Sequence, residues 1–226
     1  MCGRYSIVID EAKLRQQFGN ELKFPPAGLP TNYNVAPTQQ GLVLTDRDPQ
    51  QLQLFRWGLV PFWAKDLSIG ARMINARREG IEDKPSFRQA IRQRRCLVLA
   101  DSFYEWQRVG KAKTPHRILP ADGQLLVMAG IWEQWRPPDD PEHPIHTFSI
   151  ITGDPNAEMD AIHDRMPMLL YTPQSQARWL DPATSLDGVL DLLHTPPGGM
   201  LHHYAVSPLV GNVRNNGPEL HAAQVA

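Results

Sequence analysis

Cys2, Glu105 and His163 are of residue types that suit covalent and proton-transfer chemistry, and Asn75, a polar residue between Ile74 and Ala76, stands out beside them. Cys2 follows the initiator methionine, and we expect Met1 to be removed. The new first residue would then carry a free α-amine and a thiol on adjacent carbons, a pair that no internal residue offers. The pKa of an α-amine lies near roughly 7.7–8.0, so about a tenth is neutral at pH 7. A neutral amine adds to an aldehyde to give a Schiff base. A thiol on the next carbon can attack that imine and close a five-membered thiazolidine, aided by intramolecular placement. The plainer reading makes Cys2 the first residue of an N-terminal strand, and position alone leaves both open.

Glu105 stands in FYEW, where strand alternation puts Phe103 and Glu105 on one face and Tyr104 and Trp106 on the other. On a central strand, Glu105 would be a carboxylate in apolar surroundings, with a partner or a raised pKa. On an edge strand it would be solvated. His163 lies in IHDRMP after a helical stretch, where a purely structural role is the alternative. Asn75 sits in MINARRE, followed by Arg77 and Arg78.

Abasic deoxyribose in DNA becomes an aldehyde when its ring opens. Opening removes a proton from the C1 hydroxyl and delivers one to the ring oxygen, work that suits Glu105 and His163. Arg4, Arg77 and Arg165 each lie within two residues of one of these groups and suit phosphate. An aromatic side chain could fill the gap left by the missing base.

The elements that must hold these residues are short. Segment 3–9 reads as a strand and 10–18 as a helix capped by Asp10. A Pro/Gly-rich loop, FPPAGLPTNYNVAPT, precedes two strands around a turn at Asp46–Gln50. A short helix at 86–93 leads into RCLVLAD, SFYEWQRV, PHRILP, LLVMAGIWEQW and IHTFSIITG, all strand-like. Helices follow at 155–161 and 173–180, the latter with Thr172 as cap and Pro173 at its first position, and a weaker one at SLDGVLDLL. LHHYAVS is a last strand before a turn-rich tail. Strands and helices do not alternate as βαβ units. The expected fold is α+β, one compact domain over residues 1–226 with a mostly antiparallel, barrel-like sheet core and short peripheral helices.

The 226 residues carry a net charge of −1 and are 42% apolar, which argues against global disorder and against a general nucleic-acid packager. Arginine outnumbers lysine 17 to 6. No apolar run reaches the roughly 18 residues of a membrane span, and no secretory pattern opens the chain. Cys2 and Cys96 are the only cysteines; Cys96, in an apolar strand, is expected in the core. A reducing cytoplasm and a monomer are expected, with no membrane partner. No CxxC, HExxH, EF-hand, P-loop, GxGxxG or GxSxG pattern occurs, so we expect neither a metal nor a cofactor.

Seven segments, in order, resemble the SRAP family of abasic-site processing proteins, first labelled SOS response-associated peptidases: MCGRY, YNVAPT (33–38), RWGLVPFWAKD (56–66), INAR (74–77), the AD and FYEW stretch (100–106), IHDRMP (162–167) and VGNVRNNGPEL (210–220). Together they span nearly the whole chain. The resemblance implies a single barrel-like domain in which Cys2 crosslinks to abasic sites in single-stranded DNA during a DNA-damage response. It implies that Asn75 positions the amine or the opened sugar, that Glu105 transfers protons in ring opening and adduct reversal, and that His163 supplies a proton and helps bind the sugar or its 3′ phosphate. Arg4, Arg77 and Arg165 match positions that hold the DNA backbone, and Asn34 matches a position lining the site. Some bacterial members wedge two adjacent tryptophans against DNA; here Trp63 stands between Phe62 and Ala64 and stacks alone. Lyase and peptidase activities are associated expectations.

Two rival readings differ in chemistry. An N-terminal-nucleophile amidohydrolase would also begin with cysteine, yet the NGE-type segment such domains use is missing. A non-covalent single-stranded DNA-binding module would use the arginines and Trp63 and leave Cys2 idle.

Overall fold

The computed structural model describes residues 2–224. β1 (Tyr5–Ile7) runs into α1 (Glu11–Phe18), which Asp10 caps by accepting from the Lys13 amide. Gly19 then stops the helix at φ 93°, a left-handed conformation that favours glycine. Next come β2 (Asn32–Val35), β3 (Gln40–Thr45), β4 (Gln53–Trp57) and β5 (Asn75–Arg77). The centre of the chain holds α2 (Ala90–Gln93), β6 (Arg95–Ala100), β7 (Ser102–Val109), β8 (Ala112–Pro120), β9 (Leu126–Trp135) and β10 (Ile145–Gly153). The last part adds α3 (Ala157–Asp160), β11 (Met166–Pro167), α4 (Pro173–Leu180), α5 (Leu186–Leu190) and β12 (Leu201–Ala205).

β3 pairs with β4 and β6, β6 with β9, β9 with β10, and β10 with β4. This ring of five strands is closed and has no free edge among its members. Only the β10–β4 seam is parallel, joining Thr147 to Arg56 and Phe148 to Trp57. Beyond the seam, β5 lies parallel to β10 and β11 antiparallel to it. A second, antiparallel sheet has the order β12-β8-β7-β1-β2.

Residues from both sheets share one apolar cluster, with Tyr5, Ile7 and Phe103 from the second sheet and Leu42, Leu97 and Phe148 from the barrel. The Tyr5 ring meets Trp57 edge-on at 4.9 Å. The barrel is tight enough to need glycine at 130, where a Cβ would stand 2.7 Å from Val98 Cγ2 and 2.8 Å from Cys96 Sγ. Cys96 is buried in this core, as its apolar setting predicts. Outside the barrel, α4 has the expected Thr172 cap and Pro173 start. Buried Trp179 on α4 donates to the Cys96 carbonyl at 3.0 Å.

The α+β class and the mostly antiparallel barrel thus agree with the expectation. The differences are local. The Pro/Gly-rich loop contains β2, because NYNV can pair with β1 once the chain turns back. The helix expected at 86–93 is regular only from Ala90, and the one at 155–161 is the single turn Ala157–Asp160. Two- and three-residue strands such as β11 and β5 exist because the C-terminal half of β10, beyond its seam with β4, offers an edge outside the ring; they are too short for alternation to reveal.

Candidate functional site

Pairing of β1 with β7 sets the site. Tyr5 lies opposite Phe103, and the Tyr104 amide donates to the Arg4 carbonyl at 2.9 Å. This carries the N-terminal residues along β7 toward Glu105. Cys2 is fully buried, and its thiol is 3.8 Å from the Arg4 carbonyl. Pairing of β5 with β10 puts Asn75 opposite Ile150. From there the Asn75 amide nitrogen donates to the Cys2 carbonyl at 2.7 Å. Two residues far apart in sequence are thus joined directly at the Cys2 backbone.

β7 is flanked by β1 and β8, so Glu105 lies on an interior strand with 3% of its surface exposed. Burial pushes its carboxyl above the ordinary range, partly offset by neighbouring positive charge that includes His163. Burial also pushes the Cys2 thiol up, with the Glu105 charge as the next cause, so the two groups lie within electrostatic reach.

His163 follows α3, its amide donating to the Met159 carbonyl at 2.8 Å. Its Nε2 is 4.0 Å from Glu105 Oε2. Its Nδ1 accepts from the Arg165 amide at 3.0 Å and lies 2.8 Å from Asp164 Oδ1. The two Nδ1 contacts require opposite proton placements. The Arg165 contact is a directed backbone bond, whereas Asp164 is largely solvated. With Nδ1 accepting, Nε2 is the ring nitrogen left to carry a proton toward Glu105.

The arginines differ in their freedom. Arg77 is exposed and lines a hollow with Asp154, His163, Asp164 and Arg165. Arg165 holds Glu79 in a two-pronged pair at 3.0 and 2.9 Å and donates to the Thr152 carbonyl at 2.6 Å. Phosphate there would meet a guanidinium already shared with a carboxylate. Arg4 donates to Asn34 Oδ1 at 3.0 Å and to the Val210 carbonyl at 3.1 Å. Buried Asn34 donates to the Asn212 and Asn215 carbonyls at 3.0 and 2.8 Å. These two residues pin the tail VGNVRNNG beside the N-terminus. Asn34→Ala removes those bonds, each worth about 0.5–1.5 kcal/mol. It is expected to lower the melting temperature and to make 208–221 the first segment cut in limited proteolysis.

Trp63 is 50% exposed and Phe62 56%, on a turn closed by the Ala64 amide bonded to the Pro61 carbonyl. They form an aromatic projection outside the linings of the hollows around His163.

Sequence reasoning missed a second hollow, lined by Glu105, Trp106, Arg108, Lys113, His163 and Gly211. The basic run QRVGKAK was visible, but nothing in it revealed that the hairpin overlooks Glu105. It also missed Glu79 as the partner of Arg165, since that pairing depends on how β5 and β11 flank β10.

Fold, site and sequence agree on a class. The chain belongs to the family described as SOS response associated peptidase (SRAP), whose model matches residues 1–213. It is 41% identical over 223 residues to the abasic site processing protein YoqW of Bacillus subtilis, covering 97% of this chain and 98% of that protein. It is 32% identical to the abasic site processing protein HMCES of Gallus gallus, covering 97% of this chain and 76% of the relative. A crystal structure of a Bacteroides thetaiotaomicron protein superposes with a TM-score of 0.87 at 28% identity, over 99% of this chain and all of that one.

Proposed function

We propose that this protein recognises an abasic site in single-stranded DNA and joins it through the α-amine and thiol of Cys2. The observation that carries this reading is the grip of Asn75 on the Cys2 carbonyl, beside a buried carboxylate with a histidine at 4.0 Å. The relatives' naming as abasic site processing proteins supports it. Removal of Met1, on which the chemistry depends, lies outside the described residues.

The chemistry proceeds in three steps. Glu105 and His163 move a proton from the C1 hydroxyl of the sugar to its ring oxygen, which opens the aldehyde. The amine adds to C1 and one water leaves, giving the imine. The Cys2 sulfur then adds to C1 while its proton passes to nitrogen, closing the thiazolidine. Aldehyde, amine and thiol give thiazolidine and one water, with no oxidant or reductant. β-Elimination from the imine is the lyase branch, and ring closure by sulfur competes with it. Removal of the residue before Cys2 would account for the peptidase label.

Mixing the protein with oligonucleotides that differ by one abasic site, then running a denaturing gel, tests this. A slowed band is expected only with the abasic strand; its absence there overturns the reading. Trp63→Ala is expected to weaken binding by about 1–3 kcal/mol, the value of one stacked base, when titrated against a fluorescent strand.

A further inference from the structure

We infer that the β7–β8 hairpin is a second phosphate rail, with Arg108 and Lys113 holding the DNA strand on the side of His163 opposite Arg77. This rests on the proposed action on single-stranded DNA and adds the path of the strand across the site.

β7 and β8 remain paired out to Val109 and Ala112. Gly110, at φ 59°, occupies the first central position of the two-residue turn, where such hairpins favour glycine. The tip is therefore a regular, well-formed projection. Its register sets Arg108 directly opposite Lys113. Both are exposed, and neither forms an ion pair among the described residues. Like charges directly opposite each other destabilise a strand pair unless an anion lies between or above them. Residues facing each other across the pair point to one side, so Trp106 and Arg108 share a side with Lys113 and Pro115.

Alternation places Glu105 on the opposite face of β7, yet Arg108 and Lys113 share the lining of one hollow with Glu105, His163 and Gly211, so that hollow reaches round the hairpin. A second hollow is lined by Arg77, Asp154, His163, Asp164 and Arg165. His163 is common to both linings, so the hollows adjoin at this residue. A strand whose opened sugar reaches Glu105 and His163 would pass from the Arg77 hollow to the hairpin hollow. Each side then offers cations for the flanking phosphates. On the hairpin side Trp106 adds an aromatic surface, partly buried against Tyr104 and Val210. At the same level the β7 edge extends past β1, whose paired residues end at Phe103. The chain's near-neutral total charge makes such local cation placement matter more than any global attraction.

The test uses undamaged single strands and a Cys2→Ala background, so that binding is non-covalent. The Arg108→Ala/Lys113→Ala double variant is expected to reduce the magnitude of the log–log salt slope by about 1.4, two contacts at about 0.7 each. Affinity at low salt should fall on the order of tenfold. Arg108→Lys should keep most of the slope, since a point charge still meets phosphate. With Cys2 intact, the next comparison uses abasic strands cut back to one nucleotide on either side of the lesion. The double variant should lose the benefit of one flank only, and Arg77→Ala that of the other. An unchanged salt slope, or equal losses on both flanks, overturns the inference. Thermal melts of the variants should match the parent, because both side chains are exposed. Failure of the wild type to crosslink an abasic strand would instead strike the proposed function; the salt slope on undamaged DNA reads the rail independently.

Discussion

Cys2→Ala is expected to abolish the adduct that survives denaturation, while leaving an adduct that borohydride can trap. Alanine still offers an α-amine once Met1 is gone, so the imine can form. It has no sulfur to close the ring, so the imine hydrolyses unless reduced. The size of the effect follows from intramolecularity: a neighbouring thiol acts as if present at about 10⁵–10⁸ M, beyond any solution thiol. Cys2→Ser should behave like alanine, because a hydroxyl is a far weaker nucleophile than a thiol. The measurement is a time course on denaturing gels with and without borohydride. A stable adduct from Cys2→Ala without reductant would remove the thiazolidine from the mechanism.

Glu105→Gln should change rate and stability in opposite directions. A positioned general acid–base group contributes about 10²–10⁴-fold, so crosslinking and its reversal should both slow within that range. Stability should rise. The carboxyl of Glu105 is raised above its ordinary value of 4.5, chiefly by burial. Its contribution to stability is therefore fully present below about pH 4.5 and is lost as pH rises through the raised value in the folded protein. As pH rises through that value the wild type loses the stability that favoured the protonated carboxyl, a loss an uncharged amide does not share. The melting temperatures of Glu105→Gln and wild type should converge near pH 4 and separate above it. Each kcal/mol recovered adds about 2–4 °C in a chain of this size. Scanning calorimetry across pH, alongside single-turnover gels, reads both effects. Unchanged rates in both directions would take Glu105 out of the chemistry, and a lower melting temperature at pH 7 would contradict the burial argument.

Asn34 and Arg4 show how a motif can serve the site by serving the fold. The resemblance places Asn34 in the lining and Arg4 on phosphate. In the structure both spend hydrogen bonds on the tail, Arg4 on Val210 and Asn34 on Asn212 and Asn215. The tail segment then supplies Gly211 to the hairpin hollow. Arg165 likewise combines a place in the Arg77 hollow with its fork on Glu79.

The sequence alone determined what depends on near neighbours. Asp10 and Thr172 announce their helix starts because a cap bonds within three residues. Alternation in FYEW predicts which side chains share a face, and the position of Cys2 determines that loss of Met1 would create an amine beside a thiol. The ordered motifs were enough to point to the family. Tertiary structure alone decided that Glu105 is interior, because an edge strand and a central strand carry the same local pattern until the neighbours of β7 are known. It alone closed the barrel through the parallel β10–β4 seam, and it alone joined Asn75 to Cys2 across 73 positions and Arg4 to Val210 across 206. Hydrophobic spacing fixes which face of a strand is buried, whereas pairing between distant strands depends on which edges remain open after the whole chain has packed.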